Sequence, residues 1–194
     1  MDIERPKSRQ PIPPHAEKVF EGVVFDIYQW QQELYDGSMR TFEKAKRDDT
    51  IVVVPSTPDK KLIFLRDEQP QRDPVMTFPA GRMDMGGEDP LTTAKRELLE
   101  ETGYASEDWT LWKAFQPVTK VEWAVYVFIA KNCVKVQEPD PGPGEKIEMS
   151  LVTLDDVIAH VEDPTYQHEE MATTLMKAKY DPAARAELET VFFG

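Results

Sequence analysis

Apolar residues along the chain fall mainly into short runs, and these predict strands more often than helices. Between Val19 and Glu33, Val23, Phe25 and Ile27 occupy alternate positions and Tyr28 and Trp30 follow, which predicts one strand. A turn at Asp36-Gly37 and a second strand through Met39, Thr41 and Phe42 come next. Thr50–Val54 is a continuous β-branched run, the pattern of a buried strand, and Lys61–Arg66 is its expected hairpin partner across Ser56-Thr57-Pro58-Asp59. Val75–Phe78 predicts a short strand that stops at Pro79-Ala80-Gly81, and further strands are expected over 110–116, 121–131 and 147–152. Residues 1–18, with Pro6, Pro11, Pro13 and Pro14 among charges, read as an extended arm.

One helix announces both of its ends. Asp89 suits the N-cap, Pro90 the first helical position and Gly103 the residue just past the C-terminus. Leu91, Ala94 and Leu98 fall at i, i+3 and i+7, a stripe that docks on a sheet. Gln137–Gly144, dense in proline and glycine, is a loop, and the chain from Asp155 onward is mostly helical with breaks at Pro164 and Pro182. Mixed strands, a central helix and terminal helices place the fold in the α+β class, as an α/β/α sandwich. No internal repeat divides the chain, but residues 1–45 read as an N-terminal arm with strands and residues 46–194 as the main domain.

Charge narrows the partners. With 36 acidic against 23 basic residues the net charge is −13 in 194 residues, a field that repels nucleic acid and anionic membrane surfaces. A phosphate-bearing substrate would need bound cations or a local basic patch. Cys133 is the single cysteine, so no internal disulfide forms and a reducing, cytoplasmic setting is expected. The N-terminus lacks the basic start and apolar run of a signal peptide, and no apolar stretch approaches the roughly 20 residues of a membrane span.

The helix carries a second stripe. Glu97, Glu100 and Glu101 fall at i, i+3 and i+4, near the end where the helix dipole disfavours negative charge. Like charges at this spacing cost roughly 0.2–0.5 kcal/mol per pair even on an exposed helix. A solvated acidic face is the usual meaning of such a pair, but three carboxylates beside a core stripe are better explained by a hard divalent cation. Magnesium takes oxygen ligands and keeps positions open for water and phosphate, so it would also bridge an acidic protein to an anionic substrate.

Gly81, Glu88 and Arg96-Glu97-Leu98-Leu99-Glu100-Glu101-Thr102-Gly103-Tyr104 closely resemble the Nudix box, which runs glycine, glutamate, then R-E-hydrophobic-x-E-E-x-G-hydrophobic. The box covers about 24 residues, and the order of the flanking strands agrees with that family over most of the chain. The spacing from Glu88 to Arg96 matches the family pattern, while Gly81 to Glu88 holds six intervening residues instead of five. Gly86-Gly87 offers a place to absorb the extra residue as a local bulge. The resemblance implies a Nudix-like sandwich with a metal-binding helix over residues 46–194. It implies Glu97 and Glu101 as ligands of Mg2+, or of Mn2+ in its place, with Glu100 in the same cluster. The Ala80 carbonyl would be a further ligand, and Glu88 and Arg96 a supporting salt bridge.

Within the family, Phe78-Pro79-Ala80-Gly81 looks like the ADP-ribose pyrophosphatase branch, as does Asp67-Glu68-Gln69-Pro70-Gln71-Arg72. An extra residue separates Gln69 from Arg72, so Arg66 competes with Arg72 for contact with phosphate. Pro117 resembles a proline of that branch, and Glu122 keeps a similar distance beyond it. The proline-rich loop stands where the branch has a mobile loop bearing a general base, with Glu145 the first choice and Glu138 the second. Tyr28 and Trp30 are candidates to stack on a nucleobase or to serve as ordinary core and dimer contacts, since this branch is commonly dimeric. The resemblance thus implies a small-molecule nucleotide substrate, a homodimer, and hydrolysis of a nucleoside diphosphate derivative, first ADP-ribose to AMP and ribose 5-phosphate. Other Nudix substrates (a GDP-sugar, a dinucleotide, an oxidised triphosphate) and a non-cutting ADP-ribose sensor stand as rivals. The three intact glutamates argue against the sensor, and a purely structural acidic module is weaker still.

Overall fold

A computed structural model describes residues 3–142 and 144–194; Met1, Asp2 and Pro143 of the proline-rich loop lie outside the described residues. After the arm come β1 (Glu17–Glu21), β2 (Asp26–Glu33) and β3 (Met39–Lys46), paired antiparallel in that order. The single strand expected over Val19–Glu33 is therefore two strands. The chain reverses at Gly22, where a Cβ would lie 2.6 Å from the Phe25 carbonyl oxygen, so alternation in Val23 and Phe25 reflects a turn and not a ladder. The Asp36-Gly37 turn forms as expected, with Gly37 at φ +79° and the Ser38 amide donating to the Asp36 carboxylate at 2.9 Å.

The remaining elements are β4 (Thr50–Pro55), β5 (Leu62–Gln69), β6 (Arg72–Thr77), β7 (Ala80–Arg82), α1 (Pro90–Thr102), β8 (Tyr104–Ala105), β9 (Asp108–Phe115), β10 (Val121–Glu122), β11 (Val125–Lys131), β12 (Val134–Lys135), β13 (Lys146–Val152), α2 (Leu154–His160), α3 (Glu169–Tyr180) and α4 (Pro182–Phe193). They form a mixed sheet β7-β4-β11-β9, a sheet β13-β5-β6 and a small β12-β8 pair, while β10 joins the N-terminal sheet beside β3. The boundary expected after residue 45 thus falls within β3, and that sheet takes its last strand from further along the chain.

Two strand expectations need correction. The turn after β4 forms, with Thr57 and Lys61 bonded and a Ser56–Leu62 bridge, yet β4 and β5 do not continue as a hairpin. Both sides of β4 are already taken, by β11 in parallel and β7 antiparallel, so β5 pairs with β13 and β6 instead. The strand expected over 121–131 is also interrupted. Asp49 accepts from the Ala124 amide at 2.8 Å, and Trp123 donates its indole N–H to the Thr50 hydroxyl at 2.9 Å, which separates β10 from β11.

Alternation in the central strands sorts their side chains into two cores. Val52 and Val54 of β4, Phe64 of β5 and Val127 and Ile129 of β11 pack with Leu154, Val157, Met171, Leu175 and Phe192 of the C-terminal helices. Ile51, Val53, Ile63, Leu65, Tyr126 and Phe128 face the other way, onto Ala94 and Leu98 of α1. Helices on both faces of a doubly buried sheet give the α/β/α sandwich of an α+β protein. Among the described residues no helix is long and apolar enough to cross a membrane.

Candidate active site

Local chemistry sets α1 in place. Asp89 accepts from the amides of Leu91 and Thr92, Pro90 opens the first turn, and Gly103 ends the helix at φ +73°. At Gly103 a Cβ would also come within 2.2 Å of the Gln137 carbonyl oxygen, so the helix end and the proline-rich loop meet where only glycine fits. The extra residue before the helix is absorbed in a turn, the Glu88 amide donating to Met85 O at 3.2 Å with Gly87 at φ +92°.

Packing divides the acidic stripe. Glu101 is 7% exposed, and one carboxylate oxygen accepts from the Ala80 amide at 3.2 Å. Glu97 lies against Gly81, where a Cβ would be 2.0 Å from the carboxylate carbon, so the bare glycine makes the seat in which that group rests. Glu100 stays at the rim, held by Arg96 at 3.1 Å. Arg96 also binds Glu97 at 2.8 Å and Glu88 at 3.4 Å, so one guanidinium ties the loop to the helix. Thr93 donates its hydroxyl to Glu88 at 3.0 Å.

From the far side of the site, Glu145 and Asp67 face the helix. Burial, joined by repulsion from Glu97 and Glu145, pushes the Glu101 carboxyl well above the ordinary range. Glu97 and Glu145 are raised as well, each mainly by burial. A recess of about 90 Å³ is lined by Ala80, Glu101, Glu145, Asp67, Arg72 and Gln167 among others. Beside it lies a groove of about 660 Å³ that shares Arg72 and Glu145. Arg72 pairs with Asp67 and leaves its Nε buried without a partner.

No three His, Cys, Asp or Glu side chains among the described residues close into a ready-made cage. Each carboxylate has its own protein partner: Arg96 binds Glu97 and Glu100, and the Ala80 amide donates to Glu101. The donor set still suits a hard cation. Two crowded carboxylates with raised pKa values, beside a glycine seat and a backbone strand edge, gain most from a divalent ion.

The other sequence candidates lie apart. Arg66 pairs with Glu68 and Glu148 on the β5–β13 surface, Glu138 pairs with Lys135, and Pro117 is exposed between β9 and β10. Trp30 is 5% exposed and packs on Phe42, whereas Tyr28 lines a separate pocket of about 570 Å³ with Arg5, Arg47, Asp49, Met83 and Glu122. Arg47 is the residue that sequence reading missed. Its guanidinium lies 4.9 Å from the Trp123 ring and 5.8 Å from Phe25, its Nε is buried without a partner, and burial lowers its pKa. The basic pair Lys46-Arg47 was the visible signal; the two rings that flank Arg47 are remote in sequence.

The family model described as NUDIX domain matches residues 46–175. The chain belongs to the NUDIX domain family. This Nudix chain is 32% identical over 149 residues to the ADP-ribose pyrophosphatase of Bacillus subtilis (strain 168), covering 75% of the chain and 80% of the relative. It is 28% identical over 153 residues to the methanol dehydrogenase activator of Bacillus methanolicus, covering 76% and 81%. Its fold matches a crystal structure of an ADP compounds hydrolase with a TM-score of 0.71 at 21% identity, over 95% of this chain and 96% of that one. The chain is a Nudix hydrolase, and α1 with its preceding loop lies within the matched residues.

Proposed function

We propose that this Nudix hydrolase uses magnesium to cleave ADP-ribose into AMP and ribose 5-phosphate. One observation carries the reading: the buried Glu101 carboxylate, Ala80 and the loop glutamate Glu145 line one recess together with Arg72, and the half-buried Glu97 carboxylate rests beside them on Gly81. The Bacillus subtilis relative supports the choice of substrate. Glu97, Glu101 and the Ala80 carbonyl would hold the ion, with Glu100 at its rim. Bound there, magnesium supplies positive charge against the diphosphate oxygens and lowers the pKa of the attacking water.

The protein's own groups do the rest. Arg72, kept in place by Asp67, presents its unpaired Nε–H to a phosphate oxygen. Arg96 and Glu88 orient the metal-binding carboxylates. Glu145 removes a proton from water as that water attacks one phosphorus and the bridging P–O bond breaks. Its burial-raised pKa makes it a stronger base than a solvated carboxylate. Tyr28, in its own pocket, offers a ring to the adenine end, with Arg47 beside it. An ADP-ribose assay with product identification tests this, with EDTA and magnesium added in turn. AMP should appear only with the metal; a substrate panel in which nucleoside triphosphates alone were cut would overturn the branch assignment.

We further propose that the enzyme is a homodimer acting in the cytoplasm. The N-terminal sheet leaves Val19, Phe20, Val24, Phe25 and Met39 exposed, an apolar surface that a second copy would cover. Light scattering should return about twice the chain mass of 22.3 kDa, and the single-chain mass at micromolar concentration would rule the dimer out.

A further inference from the structure

His168 has no part in the chemistry above, yet it is 4% exposed and fully engaged. Its Nε2 accepts from the Phe78 amide at 3.1 Å and lies 2.8 Å from the Thr77 hydroxyl. Because an amide N–H can only donate, Nε2 must be bare, and the ring proton sits on Nδ1. That nitrogen is 3.0 Å from Glu170 Oε1, which accepts the proton. Both residues stand at the start of α3, which is stitched to the end of β6 by bonds from the Met76 amide to Thr165 O and from the Gln167 amide to Met76 O. Two residues beyond Phe78, the Ala80 amide holds Glu101.

We propose that His168 is a positioning residue: from the head of α3 it fixes, through the Phe78 amide, the angle at which Pro79-Ala80-Gly81 meets Glu101. The proposal rests on the reading of Ala80 and Glu101 as part of the reactive centre. Only Phe78 and Pro79 separate β6 from β7; β4 holds the far side of this bend, through the Val53 amide to Pro79 O at 2.8 Å and the β7 ladder, and His168 supplies the tie on the near side, at the Phe78 amide. Glu170 acts behind His168 by selecting the Nδ1–H tautomer.

Three variants and one spectrum test the idea. Nitrogen NMR of His168 should show the proton on Nδ1 and a bare Nε2; a proton on Nε2 would overturn the proposal. His168→Phe keeps the packing on Phe78 and Tyr166 but deletes the acceptor. It should lower kcat by roughly 10–100-fold with little change in KM, reduce the magnesium-induced thermal shift and release the Phe78 amide to exchange. His168→Gln can return an acceptor to the Nε2 position and should recover most of each loss. Wild-type kcat and magnesium shift in the Phe variant, or no recovery in the Gln variant, would refute the role. If the Phe variant does not fold, Glu170→Leu frees the tautomer with His168 in place and should move kcat and Phe78 exchange in the same direction; no movement counts against the proposal. If wild type fails to cut ADP-ribose, the substrate reading falls alone, because Phe78 exchange and the magnesium shift still decide the positioning role.

Discussion

Lys44→Met should destabilise the protein by roughly 3–5 kcal/mol, a larger loss than any surface charge change would give. The Lys44 side chain is 0% exposed, and its ammonium donates to Ser8 Oγ, Gln10 O and Glu122 Oε2, each at 2.7 Å. Glu122 also accepts from Arg5 at 2.8 Å and Gln116 at 3.1 Å, so the lysine joins the arm, the N-terminal sheet and the short strand β10. Removing it leaves Glu122 with less compensation and the arm without its inner anchor. At about 2–4 °C per kcal/mol for a chain of this size, the melting temperature should fall by roughly 6–20 °C. A fall of under about 2 °C would show that water replaces the lysine at little cost.

The same network has a pH signature. Burial opposes charge on Glu122, but the hydrogen bonds from Lys44, Arg5 and Gln116 outweigh it and hold the carboxyl at about 2. The folded pKa lies below the unfolded value of about 4.3, so this group stabilises the fold above about 4.3 and ceases to do so as pH falls through about 2. The melting-temperature gap between wild type and Glu122→Gln should therefore be widest near neutrality and narrow across that acid window. A gap independent of pH would mean the stabilisation is not tied to the Glu122 charge.

Lys44 also shows what was legible in the sequence. It shares alternation parity with Phe42 in β3, and on the facing strand its partner is Tyr28, as Trp30 is the partner of Phe42. Read strictly, the period-2 pattern points Lys44 inward, but its three acceptors come from 34 to 78 residues away and cannot be seen locally. The helix α1 was legible to its ends because Asp89, Pro90 and Gly103 act within their own turns. Partner choice was not. A doubly buried run such as Thr50–Val54 states that it is central without naming its neighbours, so the expected β4–β5 hairpin gave way to the β11 and β7 pairings.

At the site, spacing on α1 showed that Glu97, Glu100 and Glu101 share a face, and the structure divides them by depth. What decides the division lies elsewhere in the chain: Gly81 for Glu97, the Ala80 amide for Glu101 and Arg96 for Glu100. The register of β5 against β13 sets Arg66 opposite Glu148, while Arg72 lies beside Glu145, a separation that spacing along the chain does not reveal. Arg47 became visible only when Phe25 and Trp123 were brought to it.

Glu101→Gln tests, without reference to substrate, whether the crowded carboxylates of α1 hold the cation. Neutralising a group that is 7% exposed beside Glu97 and Glu145 relieves both desolvation and repulsion, and the glutamine oxygen can still accept from the Ala80 amide. The metal-free variant should be as stable as wild type or more stable, by a few tenths to about 1 kcal/mol. Its turnover should fall on the order of 10³-fold, since the lost charge is the one that holds the ion. The decisive measurement is the magnesium-induced melting shift in the two proteins, since an ion that binds only the folded cluster stabilises by mass action. Magnesium at about 100 times its dissociation constant should raise the wild-type melting temperature by roughly 5–10 °C and the variant by a small fraction of that. Equal shifts in both proteins would contradict the account and place the cation away from Glu101.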